Sequence, residues 1–313
     1  MKVREISEKE FLQRFRTEAQ CARYLMTRKY PEGVRCRHCG HDRFYLRQKR
    51  FMYECRRCGY QESPKAHTLF HGSKVSLRDW FWAIHLFTVS KGGISALELQ
   101  RRLGFGSYKT AWYLLHKLRS AMQKRDGQYR LGGLIELDTA YFGKRASHNQ
   151  GAVFIAVENR GQRAGFAKVQ QVSTASRTTA QRFAQQALGS SSLVNTDGGF
   201  EFRSLHQVGI EHDYQIADSV EVYQSWMPWV HKLISNMKAC LTGTYHGVRT
   251  KYLHLYLAEY LFRFNRRQWL GELFNRTLTA ALLSATGRQH RSNSLCGHSG
   301  IGIKKLIMAL WCV

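Results

Sequence analysis

Two kinds of chemistry are written into this chain by residue type and spacing. The first is thiolate chemistry. Cys36 and Cys39 form one C-x2-C pair, Cys55 and Cys58 form another, and 15 residues lie between the pairs. That spacing suits a four-thiolate zinc site with two ligands from each of two knuckles. Gly40 and Gly59 follow the pairs and permit the tight turn that each knuckle needs. Four thiolates close the coordination shell, so such a zinc is structural. The competing reading is four free or disulfide-linked thiols, which a reducing compartment disfavours. Cys21, Cys240, Cys296 and Cys312 have no partner at ligand spacing and read as packing residues.

The second is carboxylate chemistry. In a chain with 48 Lys+Arg and only 22 Asp+Glu, a carboxylate inside an apolar run stands out. Leu134-Ile-Glu-Leu-Asp138 alternates, so Glu136 and Asp138 share one face of a strand. Leu193-Val-Asn-Thr-Asp197 ends a second apolar run with a carboxylate, directly before Gly198-Gly199. Two Asp on adjacent strands offer hard oxygen ligands to divalent cations. Two such cations about 4 Å apart support phosphoryl transfer. Taken alone, each Asp reads more simply as a strand-end turn cap. Glu136 either assists Asp138 or pairs with an Arg.

The elements that must position these groups follow from pattern. Residues 1–30 read as helical, with Phe11, Phe15, Cys21, Tyr24 and Leu25 on an irregular apolar face. The stretch FYLRQKRFMYEC between the Cys pairs alternates like a hairpin. A helix dense in aromatics spans residues 77–89 and is closed by Gly92-Gly93. Ser95 stands three before Glu98, the signature of a capping box, and opens a short helix to Leu103. Gly104-Phe105-Gly106 then turns, and Ser107 caps a longer helix through about Gln123. Ala111, Leu114, Leu115, Leu118 and Met122 face inward on it. Short helix, tight glycine turn and longer helix make a helix-turn-helix pattern. Strands at 134–138, 152–157 and 166–172, a helix at 178–188 and a strand at 193–196 predict a mixed sheet covered by helices. From Trp226 onward the chain reads as mostly helical. There Tyr252, Leu255, Tyr256, Tyr260, Leu261 and Phe264 form a stripe that Asn265-Arg-Arg267 ends with positive charge suited to DNA.

The formal charge of +26 calls for an anionic partner, nucleic acid first and an anionic membrane surface second. Arg43, Arg47, Lys49, Arg50, Arg56 and Arg57 crowd the ribbon and fit phosphate contact, the plainer alternative being a solvated basic face. At the start of the longer helix, Tyr108, Lys109, Thr110 and Tyr113 are placed to reach base edges, with Lys117 and Arg119 for phosphate. A hydrophobic content of 43% excludes wholesale disorder. No apolar run reaches the roughly 18 residues of a membrane span, and the first residues lack a secretory apolar stretch. A soluble, cytoplasmic protein is expected.

Several segments carry a resemblance in order along the chain: FLQRFRTEAQCARYLMTRKYPEGVRCRHCG, IELDTAYFGKR, VNTDGG, WVHKLISNMKACLTGTYHGV and YLAEYLFRFNRR. Over residues from about 10 to 275 the chain resembles the bacterial insertion-sequence transposases with an N-terminal zinc ribbon and an ISXO-like catalytic domain. The resemblance implies an RNase H-like core and DDE-type transposition. In that scheme water cleaves the element's end, and the freed 3′-hydroxyl attacks target DNA. It also implies catalytic Mg²⁺ or Mn²⁺ and double-stranded DNA partners, both transposon ends and target. A homodimer or larger assembly on DNA and a place in the bacterial cytoplasm, at the nucleoid when bound, follow from it too.

By the same resemblance Asp138 and Asp197 match the first and second catalytic Asp. The family's third acid lies seven residues before a Lys on a helix, and seven before Lys238 is His231. Residues i and i+7 share a helix face, so His231, Ser235 and Lys238 line one side. Trp229, Val230, Leu233, Ile234, Met237 and Leu241 form the core stripe. Asn236 is the rival third residue, but it sits about 160° from Lys238 on the wheel. Imidazole is a borderline ligand, so a His at this place favours Mn²⁺ over Mg²⁺.

The expected class is α+β multidomain. A helical segment (1–30) precedes the zinc ribbon (31–65) and the helix-turn-helix (75–125). An RNase H-like mixed sheet flanked by helices (130–270) and a C-terminal helical tail (271–313) follow. The expected activity is that of a transposase acting on the terminal inverted repeats of its own insertion sequence. The alternatives are a catalytically inactive, transposase-derived DNA-binding protein and a zinc-ribbon transcription regulator.

Overall fold

The computed structural model describes residues 7–47, 51–143, 150–216 and 225–284. Lys49, Arg50, Cys296, Cys312 and the part of the expected tail from 285 onward lie outside the described residues.

Two short helices come first, α1 (Glu8–Arg14) and α2 (Glu18–Lys29), each opened by a reciprocal capping box, Ser7 with Glu10 and Thr17 with Gln20. Helices this short do not persist alone. They are held by burying Phe11, Phe15, Cys21 and Leu25. The ribbon follows as β1 (Phe44–Arg47), β2 (Met52–Cys55) and β3 (Gln61–Glu62), all antiparallel. The expected hairpin is β1–β2, while β3 is too short to show alternation in sequence.

Next come α3 (Leu77–Val89), α4 (Ala96–Leu103) and α5 (Tyr108–Asp126). The first two amides of α3 donate to the Glu18 carboxylate at 2.8 and 2.9 Å, which ties α2 to α3. Ser95 accepts from the Glu98 amide as expected, but the Glu98 carboxylate turns to Arg102 and leaves the capping box half made. Gly104, at φ +64°, makes the left-handed turn between α4 and α5. The five residues expected to face inward on α5 are all buried.

The second half is built on five strands: β4 (Leu134–Phe142), β5 (Gly151–Asn159), β6 (Ala164–Val172), β7 (Leu193–Thr196) and β8 (Glu211–Tyr214). Helix α6 (Arg177–Ala187) lies between β6 and β7, and α7 (Pro228–Tyr245), α8 (Thr250–Asn265) and α9 (Leu273–Leu283) follow β8. The sheet order is β6-β5-β4-β7-β8, antiparallel through β6-β5-β4 and parallel through β4-β7-β8. Strand parity divides its two faces. Ile135, Leu137 and Phe154 pack with Ala180, Phe183 and Ala184 of α6. Ala140, Phe142, Val153 and Ile155 pack with Val230, Leu233 and Met237 of α7 and with Leu253, Leu257 and Leu261 of α8. This is the mixed, helix-flanked, RNase H-like sheet that the resemblance implies. Strand β8 was not expected, because its four residues are mostly exposed and polar.

Helix α9 returns to the N-terminal helices. The Phe274 ring meets those of Phe11, Phe15 and Phe81, and Leu273, Leu278 and Ala281 are buried in the same core. Two expectations about basic residues fail here. Arg119, expected at phosphate, is 1% exposed and its Nε lies 2.6 Å from Glu259 of α8. Tyr245 and Arg263 also donate to Glu259, both at 2.7 Å. A buried charge needs such partners, so this Arg goes to its counter-ion. Asn265, Arg266 and Arg267, expected against DNA, are internal clamps. Asn265 bridges the Ala167 backbone, Arg266 pairs with Asp126 at 2.7 Å, and Arg267 donates to the carbonyls of Phe264, Gly165 and Ala164. No helix among the described residues is long and apolar enough to cross a membrane.

Candidate active site and zinc ribbon

The two cysteine knuckles fold alike. In each, the amide of the first Cys donates to the carbonyl five residues on, and the following Gly amide donates back to the first Cys carbonyl. Gly40 and Gly59 take φ of +73° and +70°, which a side chain would resist. The knuckles then face each other. Cys36 and Cys58 sulfurs lie 3.5 Å apart, and Cys39 and Cys55 sulfurs 3.6 Å apart. A tetrahedral zinc with bonds of about 2.3 Å requires sulfur–sulfur edges of about 3.8 Å. This is the one group of three or more described His, Cys, Asp and Glu residues whose ligand atoms all lie within 4.8 Å of one another. The donor set therefore fits a structural zinc.

The carboxylate site is built by register. Glu136 on β4 is opposite Asn195 on β7 in parallel pairing. Two residues further on, Asp138 in the middle of β4 and Asp197 just past the end of β7 come to the same face of neighbouring strands. That is the face covered by α7, which carries His231. His231 Nε2 lies 3.6 Å from Asp138 Oδ2. The Asp138 carboxyl is pushed from 3.8 up to about 7, first by burial and then by the neighbouring charge of Asp197. Burial also lowers His231, against the pull of Asp197. Lys238 sits above the Phe142 ring at 5.9 Å from its centroid, and its charge favours ionised Asp138. Asn236 is exposed, two residues away from Lys238 around the helix. The structure thus places His231 against Asp138, with Asp197 and Lys238 near enough for their charges to act on Asp138. The group is more open than the thiolate cluster. Carboxylate oxygens and an imidazole gathered where burial opposes their charge are a donor set that a divalent cation fits.

Two carboxylates have roles that the sequence reading did not give them. Glu136 is fully buried and pairs with no Arg among the described residues. Its Oε2 accepts from the amides of Trp229 and Val230 at 2.8 and 2.7 Å, and Asn159 donates to Oε1 at 2.8 Å. Helix α7 starts at Pro228 with no side-chain cap from its own N-cap residue, and Glu136 supplies one from the sheet. The strand that carries Asp138 therefore also anchors the helix that carries His231. Glu201 is the other. It is buried, accepts from Thr139 Oγ1 at 2.6 Å, and adds a third negative charge near Asp138. Its one signal was an acidic residue four places after Asp197 in a chain poor in acids.

Among the expected DNA contacts, Arg43, Arg56, Arg57, Tyr108, Lys109 and Tyr113 are exposed, and Thr110 and Lys117 half-buried. Arg47 is exposed but engaged by Glu54 through two bonds of 2.9 and 2.8 Å, and Arg56 lies over the Tyr45 ring.

Residues 130–265 match the family described as the ISXO2-like transposase domain, and residues 16–61 match the transposase zinc-ribbon domain. No curated protein matches the chain. Among solved structures, it is similar to the catalytic core domain of BIV integrase at 16% identity, over 40% of this chain and 80% of that one, with a TM-score of 0.29. It is also similar to a chain in the structure of the simian T-cell lymphotropic virus intasome in complex with PP2A regulatory subunit B56 gamma. That likeness is 10% identical over 66% of this chain and 79% of that one, with a TM-score of 0.34.

Proposed function

We propose, from the premise that this chain belongs to the ISXO2-like insertion-sequence transposases with an amino-terminal zinc ribbon, that it binds the terminal inverted repeats of its own element and catalyses strand cleavage and strand transfer. The coarse activity, transposase-type processing of DNA, follows from the family. The finer reading rests above all on one observation: His231 of α7 lies 3.6 Å from Asp138 in the middle of β4, beside the end of β7 that Asp197 follows.

In this reading Asp138, Asp197 and His231 hold divalent Mg²⁺ or Mn²⁺, which when bound activates the attacking oxygen and stabilises charge on the leaving one. Glu136 keeps the first turn of α7 in place and so holds His231 against Asp138. Lys238 offers its ammonium to a DNA phosphate. The imidazole in the third position tilts metal preference toward Mn²⁺. Structural zinc in the ribbon, with Arg43 beside it, and the exposed first turn of α5, with Tyr108 and Lys109, meet the DNA ends. Thr110 and Lys117 extend that contact. The protein acts on paired ends as a dimer or larger assembly, in the bacterial cytoplasm at the nucleoid.

Strand transfer in vitro with Mn²⁺ tests this. The parent should form product, and Asp138→Ala and Asp197→Ala should each abolish it with DNA binding intact. The third-position His, where relatives carry an acid, favours a second reading, a DNA-binder without cutting activity. Absence of product from the parent would favour that reading. A zinc-ribbon transcription regulator leaves the meeting of Asp138, Asp197 and His231 without purpose.

A further inference from the structure

The loop that follows Asp197 presents large aromatic surface beside the carboxylates. Phe200 is 57% exposed, and Tyr214 at the end of β8 is 53% exposed. The Tyr214 ring lies against a glycine turn from which Phe200 extends. Gly198 takes φ +80°, and carbons of the Tyr214 ring lie 3.0 and 3.6 Å from where its Cβ would be. Phe200 follows two residues later. Two arginines grip this turn through its backbone: Arg203 Nε donates to the Gly198 carbonyl at 3.4 Å, and Arg177 Nε donates to the Phe200 carbonyl at 3.3 Å. Both are exposed. Among the described residues neither is in an ion pair, and a guanidinium bound through Nε has four further N–H donors.

Exposed rings on a turn that two arginines hold are the equipment of a single-strand binding surface: bases stack on the rings while arginines hold phosphates. An intact duplex keeps its bases stacked inside and offers such rings a face only at its very end or where it is kinked. We propose that Phe200 and Tyr214 receive unpaired bases next to the phosphate being cut, so that the substrate is a DNA end whose terminal base pairs are opened. The occupant is assigned by charge complementarity, in a chain of net charge +26. The assignment rests on the proposed function for its placement beside the cut. It adds the form of DNA that the site accepts.

The test uses the full, zinc-loaded chain with no added Mg²⁺ or Mn²⁺. Two duplexes of equal length and charge are compared, one with a blunt end and one with a short mismatched end, each carrying 2-aminopurine at the terminus. The parent should bind the opened end more tightly and quench its fluorescence. Phe200→Ala and Tyr214→Ala should each reduce that preference about fivefold or more, the loss of one base stack, and leave blunt-end affinity unchanged. Phe200→Trp should retain the preference. Arg177→Ala and Arg203→Ala should weaken both duplexes and flatten the salt dependence. Both rings are exposed, so their removal spares the core.

Equal binding of the two ends by the parent would overturn the proposal. So would full preference kept by both alanine variants. If Phe200→Ala changes self-association in sedimentation and not end preference, the rings serve contact between chains and the proposal fails. The assay needs no product. A parent that prefers opened ends but transfers no strand sinks the catalytic reading alone, and one that transfers strands without preference sinks this inference alone.

Discussion

Asp138→Asn should stabilise the protein when no catalytic ion is supplied. The Asp138 carboxyl titrates at about 7 in the fold, against 3.8 ordinarily, because burial and then Asp197 oppose its charge. The folded state thus holds this proton more tightly than the unfolded chain. Stability from this group is complete below pH 3.8 and is lost as pH rises through about 7. With about 1.4 kcal/mol for each tenfold, this shift removes about 3 kcal/mol of stability by pH 6, where the folded group still holds its proton, and about 4 kcal/mol by pH 8, where it is charged. Asn has nearly the same shape and no charge to bury. Its Oδ1 can still accept the Thr139 amide, which donates to Asp138 Oδ1 at 2.6 Å. Equilibrium urea denaturation of zinc-loaded protein should therefore show the variant ahead of the parent, by a margin that widens from pH 6 to pH 8. Adding Mn²⁺ should stabilise the parent by about 2.7 kcal/mol at a hundredfold excess over its dissociation constant and narrow the gap. A variant no more stable than the parent at pH 8, or a gap indifferent to Mn²⁺, would refute the reasoning.

Other substitutions probe the supports of the site. Glu136→Ala strands two amides and the Asn159 side chain. It should cost about 3 kcal/mol in urea denaturation, whereas Glu136→Gln, which keeps an acceptor, should cost clearly less; equal losses would contradict the capping role. Gly93→Ala meets both a φ of +88° and the Tyr245 hydroxyl and Glu259 carboxylate. It should destabilise by about 1–3 kcal/mol, read from the thermal midpoint. His231→Glu should shift strand cleavage from Mn²⁺ toward Mg²⁺, measured as the ratio of rates in the two ions; an unchanged ratio would remove His231 from the metal site. Cys36→Ser should lower bound zinc, measured by metal analysis, and unfold the ribbon while the larger sheet keeps its circular dichroism.

What could be read in advance was what local geometry dictates. Two C-x2-C-G knuckles need only neighbouring residues to form, and their spacing already implied the facing pair of turns. Alternation in 134–138 and the glycines after Asp197 located the two strands, although β4 runs on to Phe142, and parallel pairing then brought the two carboxylates to one face. The helix wheel of 229–241 placed His231 and Lys238 on the face turned toward them. What escaped notice depends on partners far along the chain. Glu136 caps a helix more than ninety positions away, a role no local pattern announces. Arg119, Arg266 and Arg267 look in sequence like any other basic residue, and only packing reveals that they are counter-ions and clamps. Strands as short as β3 and β8 carry too few residues to show a period. The stripe on α8 was drawn slightly wrong for a related reason. Leu253, Leu257 and Leu261 face the sheet, while Tyr252, Tyr256 and Tyr260 are only partly covered.

Helix α5 is not tethered to the sheet by a slack connection. Its Arg119 is locked to Glu259 of α8, and the turn before α4 is stitched to α7 by Thr244 and Cys240, which both donate to the Gly92 carbonyl. Under the proposed function, the element that reads DNA and the carboxylates that cut it then belong to one rigid gauge. Such a gauge measures a set interval along the double helix from the bases it recognises. On that proposal the break would fall at a constant offset, fixed by protein dimensions and indifferent to the letters in between.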